Sequence, residues 1–504
     1  MSSPPHSRLK DNAFFGRAPN RGRRAPRAKG WAQRMHGVRQ RAALAGAPLP
    51  SLYRPPAPVP QPKPLGLLGL FSTLKRNPLE CWARDHFEKP IVVGGLPFKH
   101  VLLVHEPAAI RRVLLDNADN YQKDTIQRRV LSSGLGEGLL SAEGEQWRVQ
   151  RRTFAPVFAR KTIMDFAPEM QAAADSLVAR WRRQDGATVD AAAEMSRVTL
   201  EVLERTIFSD GLGRDKEEFR GAMSVYFNTI GRIDPLDLIG LPPSVPRLSH
   251  LRARSTLRFF EAAIDEIIAM RQRRLKAGAG DEANDILTLL LAALDPETGE
   301  QMTEVEVRSN ILTFISAGHE TTANTISWAL FLLSQAPEWR ARVEAEASRE
   351  IGDPVAGLAD RLVETRAVID EAVRLYPPIA AISRVAMGSD ELGGERVKRG
   401  TMIVIAPYVL HRHLLYWDEP DAFDPTRFLG KARHEIDRYA YIPFGTGIRT
   451  CIGSAFALQE ATLILATIMK NFAIALAPGS TVWPLLRVTL RPANGLPLII
   501  KTKH

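Results

Sequence analysis

The 504-residue sequence predicts a mainly α-helical fold with a small β region. Helix-like apolar spacing dominates residues 160–300 and recurs in one long stretch, Met302 to Pro337. Strand-like runs are short, as in His100 to His105. Apolar residues make up 45% of the chain, which suffices for a sizeable core. No linker-like change of composition follows residue 65, so we expect one large catalytic domain over residues 65–504.

Residues 1–64 are rich in Arg, Ala and Pro and lack apolar periodicity, which predicts a disordered N-terminal tail. The first 60 residues hold twelve Lys or Arg and one acid, Asp11, so they account for the net charge of +11. The remainder is neutral and gives no reason to expect a nucleic-acid-binding fold. Three origins of the tail stay open: an over-extended translation start, with Met35 as an internal alternative, a functionless basic tail, or an Arg-rich targeting leader.

The sequence contains no apolar run of about 18 residues, so we predict no transmembrane helix. It contains two cysteines, Cys81 and Cys451. A disulfide between them is conceivable, but a reducing compartment with one structural thiol and one ligand thiol fits better. We therefore expect a cytoplasmic protein without a membrane anchor.

Three features of the first half of the chain are informative: a predicted hairpin, an aromatic–cationic pair, and a segment rich in Pro, Gly and Ile. Pro90 to Pro107 alternates strand-like runs around a Gly-Gly break and predicts a β-hairpin. Trp147 and Arg151 are four residues apart, so they share one face of a predicted helix. Tyr226 to Leu251, which includes Phe227, Ile230 and Leu238, is rich in Pro, Gly and Ile. These three side chains could line an access channel or pack in the core, and the family resemblance given below implies that the segment is a mobile lid over a pocket.

The long central helix carries the pattern A-G-x-E-T-T at residues 317–322. Thr303 can cap its start, with Glu306 three residues later. Ala317 and Thr321 lie on one face, and the small Ala317 leaves room for a ligand. Glu320 and Thr321 would place a carboxylate and a hydroxyl at that site. His319 lies about 200° around the helix from Thr321, so we expect it to face away.

Two later segments carry charges that we expect to be paired. Glu371 and Arg374 have the i, i+3 spacing of an ion pair on the predicted helix Leu362 to Leu375. The segment F-D-P-T-R-F at residues 423–428 contains a further arginine, Arg427. Burial of such charges costs several kcal/mol unless all of them are paired.

Strands are predicted around Arg384 and from Met402 to Tyr408. His411 and His413 follow the second of these strands. No carboxylate or cysteine lies at metal-ligand spacing from them, so we interpret both histidines as structural.

The segment F-G-x-G-x-R-x-C-x-G at residues 444–453 precedes a predicted helix, Ala455 to Lys470. A lone cysteine is usually a small buried hydrophobe, but six typed positions in ten residues favour a ligand. A thiolate is a strong, soft ligand for iron. The start of the following helix favours the anionic form of Cys451.

The residues around Cys451 suit the same chemistry. Gly445 and Gly447 permit positive φ, so that backbone N–H groups can point at the sulfur. Gly453 has no side chain, so a large flat ligand could lie against the helix. Arg449 offers a planar fork of donors to a carboxylate, and Phe444 can keep water off the sulfur.

These motifs, in this order, resemble the cytochrome P450 family over roughly residues 65–500. The resemblance implies the cytochrome P450 fold and a haem b whose iron is bound by Cys451. It implies structural roles for Glu371, Arg374 and Arg427 near the cysteine loop. The implied haem-binding residues are Cys451, Arg449, Phe444, Gly445, Trp147, Arg151, Arg384, Ala317 and Gly453.

The resemblance implies a haem-thiolate monooxygenase that inserts one oxygen atom from O2 into a C–H bond of an apolar substrate. Thr321 and Glu320 would guide protons to the oxygen. Electrons derived from NAD(P)H would arrive from separate partners, a ferredoxin and its reductase, because no reductase segment follows Gly453. We expect a monomer.

Two other functions stay open at this stage. A peroxygenase or peroxide-rearranging enzyme could share the fold, but such relatives typically lack the acid–alcohol pair. A non-enzymatic haem or ligand carrier is the other alternative.

Overall fold

The computed structural model describes residues 52–96, 99–123, 136–209, 248–277, 285–352 and 355–503. The predicted tail up to residue 51 lies outside the described residues. So does most of the predicted lid, including Phe227, Ile230 and Leu238.

Helices provide most of the described structure, as predicted. In chain order they are α1 (Leu67–Arg76), α2 (Arg84–Glu88), α3 (Pro107–Arg111), α4 (Gly144–Phe154), α5 (Arg160–Asp165), α6 (Ala167–Arg182), α7 (Ala191–Phe208), α8 (Leu248–Lys276), α9 (Ile286–Ala292), α10 (Glu304–Gln335), α11 (Pro337–Glu350), α12 (Leu358–Arg361), α13 (Val363–Leu375), α14 (Pro407–Leu410), α15 (Gly430–Glu435) and α16 (Ser454–Asn471). A π-helical turn, Arg112–Asp116, continues α3.

The strands form small sheets beside the helices. They are β1 (Ile91–Leu96), β2 (Lys99–Val104), β3 (Tyr121–Gln122), β4 (Thr188–Asp190), β5 (Ile382–Ala386), β6 (Asp390–Leu392), β7 (Glu395–Val397), β8 (Met402–Ile405), β9 (Phe472–Leu476), β10 (Pro484–Leu486), β11 (Leu490–Pro492) and β12 (Pro497–Thr502). The largest sheet has the order β1-β2-β8-β5-β3. The predicted N-terminal hairpin is β1–β2, which is antiparallel.

Helix α10 forms the centre of the core. Its start is fixed by the predicted capping box, in which Thr303 Oγ1 accepts from the Glu306 N–H and Glu306 accepts from the Thr303 N–H. Much of its C-terminal half is buried among α7, α13 and α16. Because three helices pack around it, α10 has apolar residues on nearly every side.

Residues 52–64, which composition assigned to the disordered tail, pack against the domain. Tyr53 O accepts from the Phe423 N–H at 2.8 Å, and Pro56 O accepts from the Tyr376 hydroxyl at 2.8 Å. Gln61 pairs with Ala83 in a β-bridge. Backbone carbonyls hold this Pro-rich segment in place. Because the segment has no apolar periodicity, the sequence does not predict its packing.

The predicted strand Met402 to Tyr408 is shorter in the structure. It ends at Ile405, and the chain turns into α14 at Pro407. Proline at the first helical position lacks only an N–H that would have no intrahelical partner, so it favours this helix start. In the part of the chain that the structure describes, none of the helices has the length and apolarity needed to cross a bilayer.

Candidate active site

The loop before α16 makes the tight turn that its glycines predict. The Cys451 N–H donates to the Phe444 carbonyl at 2.9 Å. Gly445 and Gly447 have φ of 68° and 74°. A Cβ on Gly447 would overlap the carbonyl of Leu114, so both conformation and space require glycine there.

The Cys451 thiol is free, and part of its surface is accessible although protein surrounds it. Burial raises the pKa of this thiol, while the Gly453 backbone N–H and the Arg151 guanidinium oppose that rise. A Cβ added to Gly453 would meet no atom within 4 Å, so the start of α16 leaves open space beside the sulfur. Cys81 is also free, so no disulfide joins the two.

A cationic cluster, defined here as Lys123, Arg384 and Arg449 with the carboxylate of Glu143, lies beside this loop. Arg449 Nη2 donates to Glu143 Oε2 at 2.6 Å, and Lys123 Nζ lies 3.4 Å from Glu143 Oε1. The Arg449 guanidinium also stacks on the Trp147 ring, 4.0 Å from its centroid. Lys123 and Arg384 are each 9% exposed.

The charges of the cationic cluster are poorly compensated. Burial and the neighbouring Arg449 lower the pKa of Lys123 to about 8, although Glu143 opposes this. Burial, together with Arg384 and other arginines, lowers the pKa of Arg449 to about 10. Burial also lowers the pKa values of Arg384 and Arg151. Among the described residues of the cluster, three cations therefore share one carboxylate.

This imbalance fits the two propionates of a haem. Carboxylates are the natural partners of buried arginine and lysine, and guanidinium groups bind them with paired hydrogen bonds. Together with the accessible sulfur of Cys451 and the open space over Gly453, the donor set suits a haem.

A second opening lies along α10. Most of this helix is buried around the A-G-x-E-T-T segment, yet Ala317 is exposed and Thr321 is half-buried. The Thr321 hydroxyl donates to the Ala317 carbonyl at 2.6 Å. Ala317 and Thr321 are therefore the accessible positions on one face of this buried part of α10, which is the face that the helical register predicts.

Glu320 and His319, which flank this opening, point in different directions. Burial raises the pKa of Glu320, and Thr489 and Arg491 oppose the rise. His319 faces α7, where its Nε2 lies 3.0 Å from the Ser196 hydroxyl and 2.9 Å from the Ser196 carbonyl. Burial lowers the pKa of His319 to about 4. His319 therefore faces away from the Thr321 side.

Glu371, Arg374 and Arg427 form a separate buried ion-pair cluster. Arg374 Nε and Nη2 donate to the two Glu371 oxygens at 2.6 and 2.8 Å. The remaining Arg374 donors reach the carbonyls of His411, Pro420 and Ala422. Arg427 Nε lies 3.6 Å from Glu371 Oε1.

His411 and His413 both have packing roles. His411 Nε2 accepts from the Ile442 N–H at 2.9 Å, and His413 Nε2 lies 3.0 Å from the Lys89 carbonyl. In the described part of the chain, no group of three His, Cys, Asp or Glu side chains could hold a metal ion.

Sequence reasoning missed Lys123 and Glu143. Lys123 is a single lysine after a two-residue strand and belongs to no motif. Glu143 immediately precedes α4, a position where an acid is usually explained by the helix dipole. Neither position signals a contact with Arg449, which is 306 residues from Glu143 in the sequence.

Comparison with known proteins gives a consistent result. The profile of the family described as "Cytochrome P450" matches residues 57–498. The chain is 33% identical to cyclooctat-9-en-7-ol 5-monooxygenase of Streptomyces melanosporofaciens over 83% of this chain and 90% of that protein. It is 32% identical to pentalenene oxygenase of Streptomyces avermitilis, covering 70% of this chain and 78% of that protein.

A solved structure shows the same fold. The crystal structure of the cytochrome P450DA heme domain superposes with a TM-score of 0.77 at 25% sequence identity. The match covers 89% of this chain and 98% of that one.

Proposed function

The chain belongs to the cytochrome P450 family, and on that premise we propose which of its residues do the work and on what kind of substrate. It is a monooxygenase that inserts one atom of O2 into an apolar organic molecule. It uses haem b and receives NAD(P)H-derived electrons from redox partners. The peroxide-using and non-enzymatic alternatives are not supported.

We assign Cys451 as the axial ligand of the haem iron. Cys451 is an exposed residue although protein surrounds it, the Gly453 N–H favours its thiolate form, and α16 begins at Ser454. When bound, the haem supplies the oxygen-activating chemistry, and the thiolate donates electron density that assists it. Phe444 and Gly445 shape the loop, while Gly453 and Ala317 leave space for the ring.

The cationic cluster would hold the haem propionates. Arg384, Arg449 and Lys123 supply buried positive charge, and Trp147 supports the Arg449 guanidinium. Arg151 lies close enough to Cys451 to favour the thiolate form. These residues orient the cofactor, and they neutralise its carboxylates without water.

Thr321 and Glu320 would carry protons to the oxygen site. The Thr321 hydroxyl lies at the opening along α10, and Glu320 lies beside it with a raised pKa. A carboxyl whose pKa lies nearer neutrality exchanges protons more readily at working pH. The ion-pair cluster of Glu371, Arg374 and Arg427 would fix the scaffold without taking part in the chemistry.

We propose a terpenoid-like hydrocarbon or alcohol as substrate. The support is that the cited Streptomyces relatives are named for cyclooctat-9-en-7-ol and pentalenene. Described residues near the α10 opening, Leu139, Phe314 and Ala317, are apolar or small. We further propose a ferredoxin-type donor, a monomeric enzyme and a cytoplasmic site of action, where two free thiols stay reduced.

The accessible sulfur of Cys451 carries this assignment, and carbon monoxide tests it. The reduced protein should show the red-shifted absorption band of a thiolate-bound haem carbonyl, and Cys451→Ser should lose it. A wild-type protein that retains haem but never shows the band would refute Cys451 as the ligand.

Turnover assays test the proposed substrate, electron donor and proton-delivery residue. NAD(P)H with surrogate ferredoxin and reductase should support oxidation of a cyclic terpene, and the terpene should shift the ferric spin state. Thr321→Ala should keep the carbonyl band but divert electrons to peroxide. Unchanged coupling of electrons to product in Thr321→Ala would exclude the proton-delivery role.

A further inference from the structure

The Glu320 side chain is directed toward the hairpin β10–β11. The Thr489 hydroxyl lies near the Glu320 carboxyl and favours its ionised form, which opposes the rise of its pKa. Arg491 Nη1 lies 3.8 Å from Glu320 Oε1. The Glu320 side chain is 14% exposed and that of Arg491 is 35% exposed, so the ion pair extends from the core toward solvent.

The hairpin is fastened at this point by several hydrogen bonds. Asn324, one helical turn after Glu320, donates to the Thr489 hydroxyl at 3.0 Å. Trp328 Nε1 donates to the Leu490 carbonyl at 3.1 Å, and the Leu490 N–H donates to the Pro378 carbonyl at 2.9 Å. The positions of Thr489 and Arg491 relative to α10 are therefore set by buried contacts.

Few other charges act on Glu320 in the described structure. Arg491 from β11 is the charged group that influences the Glu320 carboxyl. On α10 itself, His319 turns to Ser196 of α7, and burial keeps it neutral near pH 7. Thr489 contributes a hydroxyl without charge. The state of the carboxyl therefore depends on burial against one hydrogen bond and one cation.

We propose that Thr489 and Arg491 are positioning residues for the catalytic acid: they hold the Glu320 carboxylate on the hairpin side of α10 and link it to solvent. A proton entering the site would pass from solvent at Arg491 to Glu320 and then toward Thr321. The inference rests on the proposed role of Glu320 and adds to it the element that controls that residue.

The test uses the haem-loaded enzyme with a turned-over substrate. Because Arg491 opposes the raised Glu320 pKa, Arg491→Gln should move the pH midpoint of coupling upward by about one unit. Arg491→Lys should restore most of the wild-type midpoint. Infrared titration of the carboxyl band that disappears in Glu320→Gln should show the same upward shift without any turnover.

Arg487→Gln is the matched control, because Arg487 belongs to the same hairpin but donates to the carbonyls of Arg76 and Leu486. It should leave both midpoints in place. In a Glu320→Gln background, Arg491→Gln should have no further effect on the coupling profile. An unmoved midpoint in Arg491→Gln, an equal shift in Arg487→Gln, or a shift that persists without Glu320 would overturn the inference.

Glu320→Gln alone tests the proposed function. If it leaves the coupling profile of the enzyme unchanged, the proposed role of Glu320 fails, and the inference fails with it. If it changes the profile but Arg491→Gln does not, only the inference is lost.

Discussion

The ion-pair cluster and the cationic cluster both bury arginine, but they differ in how fully the charges are paired. In the ion-pair cluster, each Arg374 nitrogen donates to a carboxylate or a carbonyl, and the side chains of Arg374 and Glu371 are 0% exposed. In the cationic cluster, Arg384 donates to the Ser383 carbonyl at 2.7 Å and shares Glu143 with two other cations. Arg374, whose nitrogens all have acceptors, stabilises the fold, whereas the larger excess of positive charge in the cationic cluster can bind an anion.

The difference shows that a sequence motif does not by itself determine the role of the arginine within it. Each cluster contains an arginine that belongs to a short sequence motif, and burial alone does not distinguish the two clusters. Lys123, Arg384 and Arg449 also reach backbone carbonyls, so the distinction lies in the balance of charge. Three cations face one carboxylate in the cationic cluster, and excess buried charge is costly unless a ligand neutralises it.

The largest expected effect is on Arg374. Arg374→Ala leaves Glu371 buried without its main partner, so the free energy of unfolding should fall by about 3–5 kcal/mol. Urea unfolding followed by circular dichroism measures this. The control is Arg349→Ala, which removes an exposed pair with Glu350 and should change the free energy of unfolding far less than Arg374→Ala. If both variants lost the same unfolding free energy, the buried ion-pair cluster would stabilise the fold no more than an exposed ion pair does.

The cationic cluster should respond in haem retention and not in folding. Arg384→Ala removes one charge-assisted contact with a propionate, worth about 1.5–3 kcal/mol, so haem release should accelerate by at least about tenfold. Transfer of haem to apomyoglobin gives the rate. Unfolding of the haem-free variant should be unchanged or slightly improved, because one repulsive charge is gone. A haem-free variant destabilised as much as Arg374→Ala would contradict the comparison.

Lys123 gives the cationic cluster a pH signature. Its pKa is about 8 in the fold, below the unfolded value near 10.4, so folding disfavours the charged amine. The penalty is fully present below pH ~8 and disappears by pH ~10.4, so Lys123 should add on the order of 3 kcal/mol to the unfolding free energy of the haem-free protein across that window. Lys123→Met should flatten this part of the urea-midpoint profile. A Lys123→Met profile with the same slope as the wild type through this window would contradict the assignment.

The helical framework and the cysteine loop could be predicted because they depend on local signals. Thr303 and Glu306 mark the start of α10, and Gly445 with Gly447 predict the positive-φ turn before Cys451. Glu371 and Arg374 could be paired from i, i+3 spacing. What could be predicted was therefore encoded within a few residues.

The unpredicted parts depend on long-range contacts. Lys123 and Glu143 meet Arg449 only after the loop before α4 packs against the cysteine loop. The Glu320–Arg491 pair joins residues on α10 and β11, 171 positions apart, with no periodic pattern to connect them. Residues 52–64 are fixed by backbone hydrogen bonds, which side-chain patterns do not report.

The smallest effect is expected for Arg148→Ala, which tests whether haem retention depends on buried charge or on the net charge nearby. Arg148, on α4 beside Trp147, is 48% exposed and pairs with the exposed acids Asp119 and Glu145. Because both charges stay hydrated, Arg148→Ala should change unfolding free energy by less than about 1 kcal/mol and haem release by less than about twofold. Haem transfer measured beside Arg384→Ala decides this. If Arg148→Ala released haem as fast as Arg384→Ala, net positive charge near the cluster, and not buried under-paired charge, would govern retention.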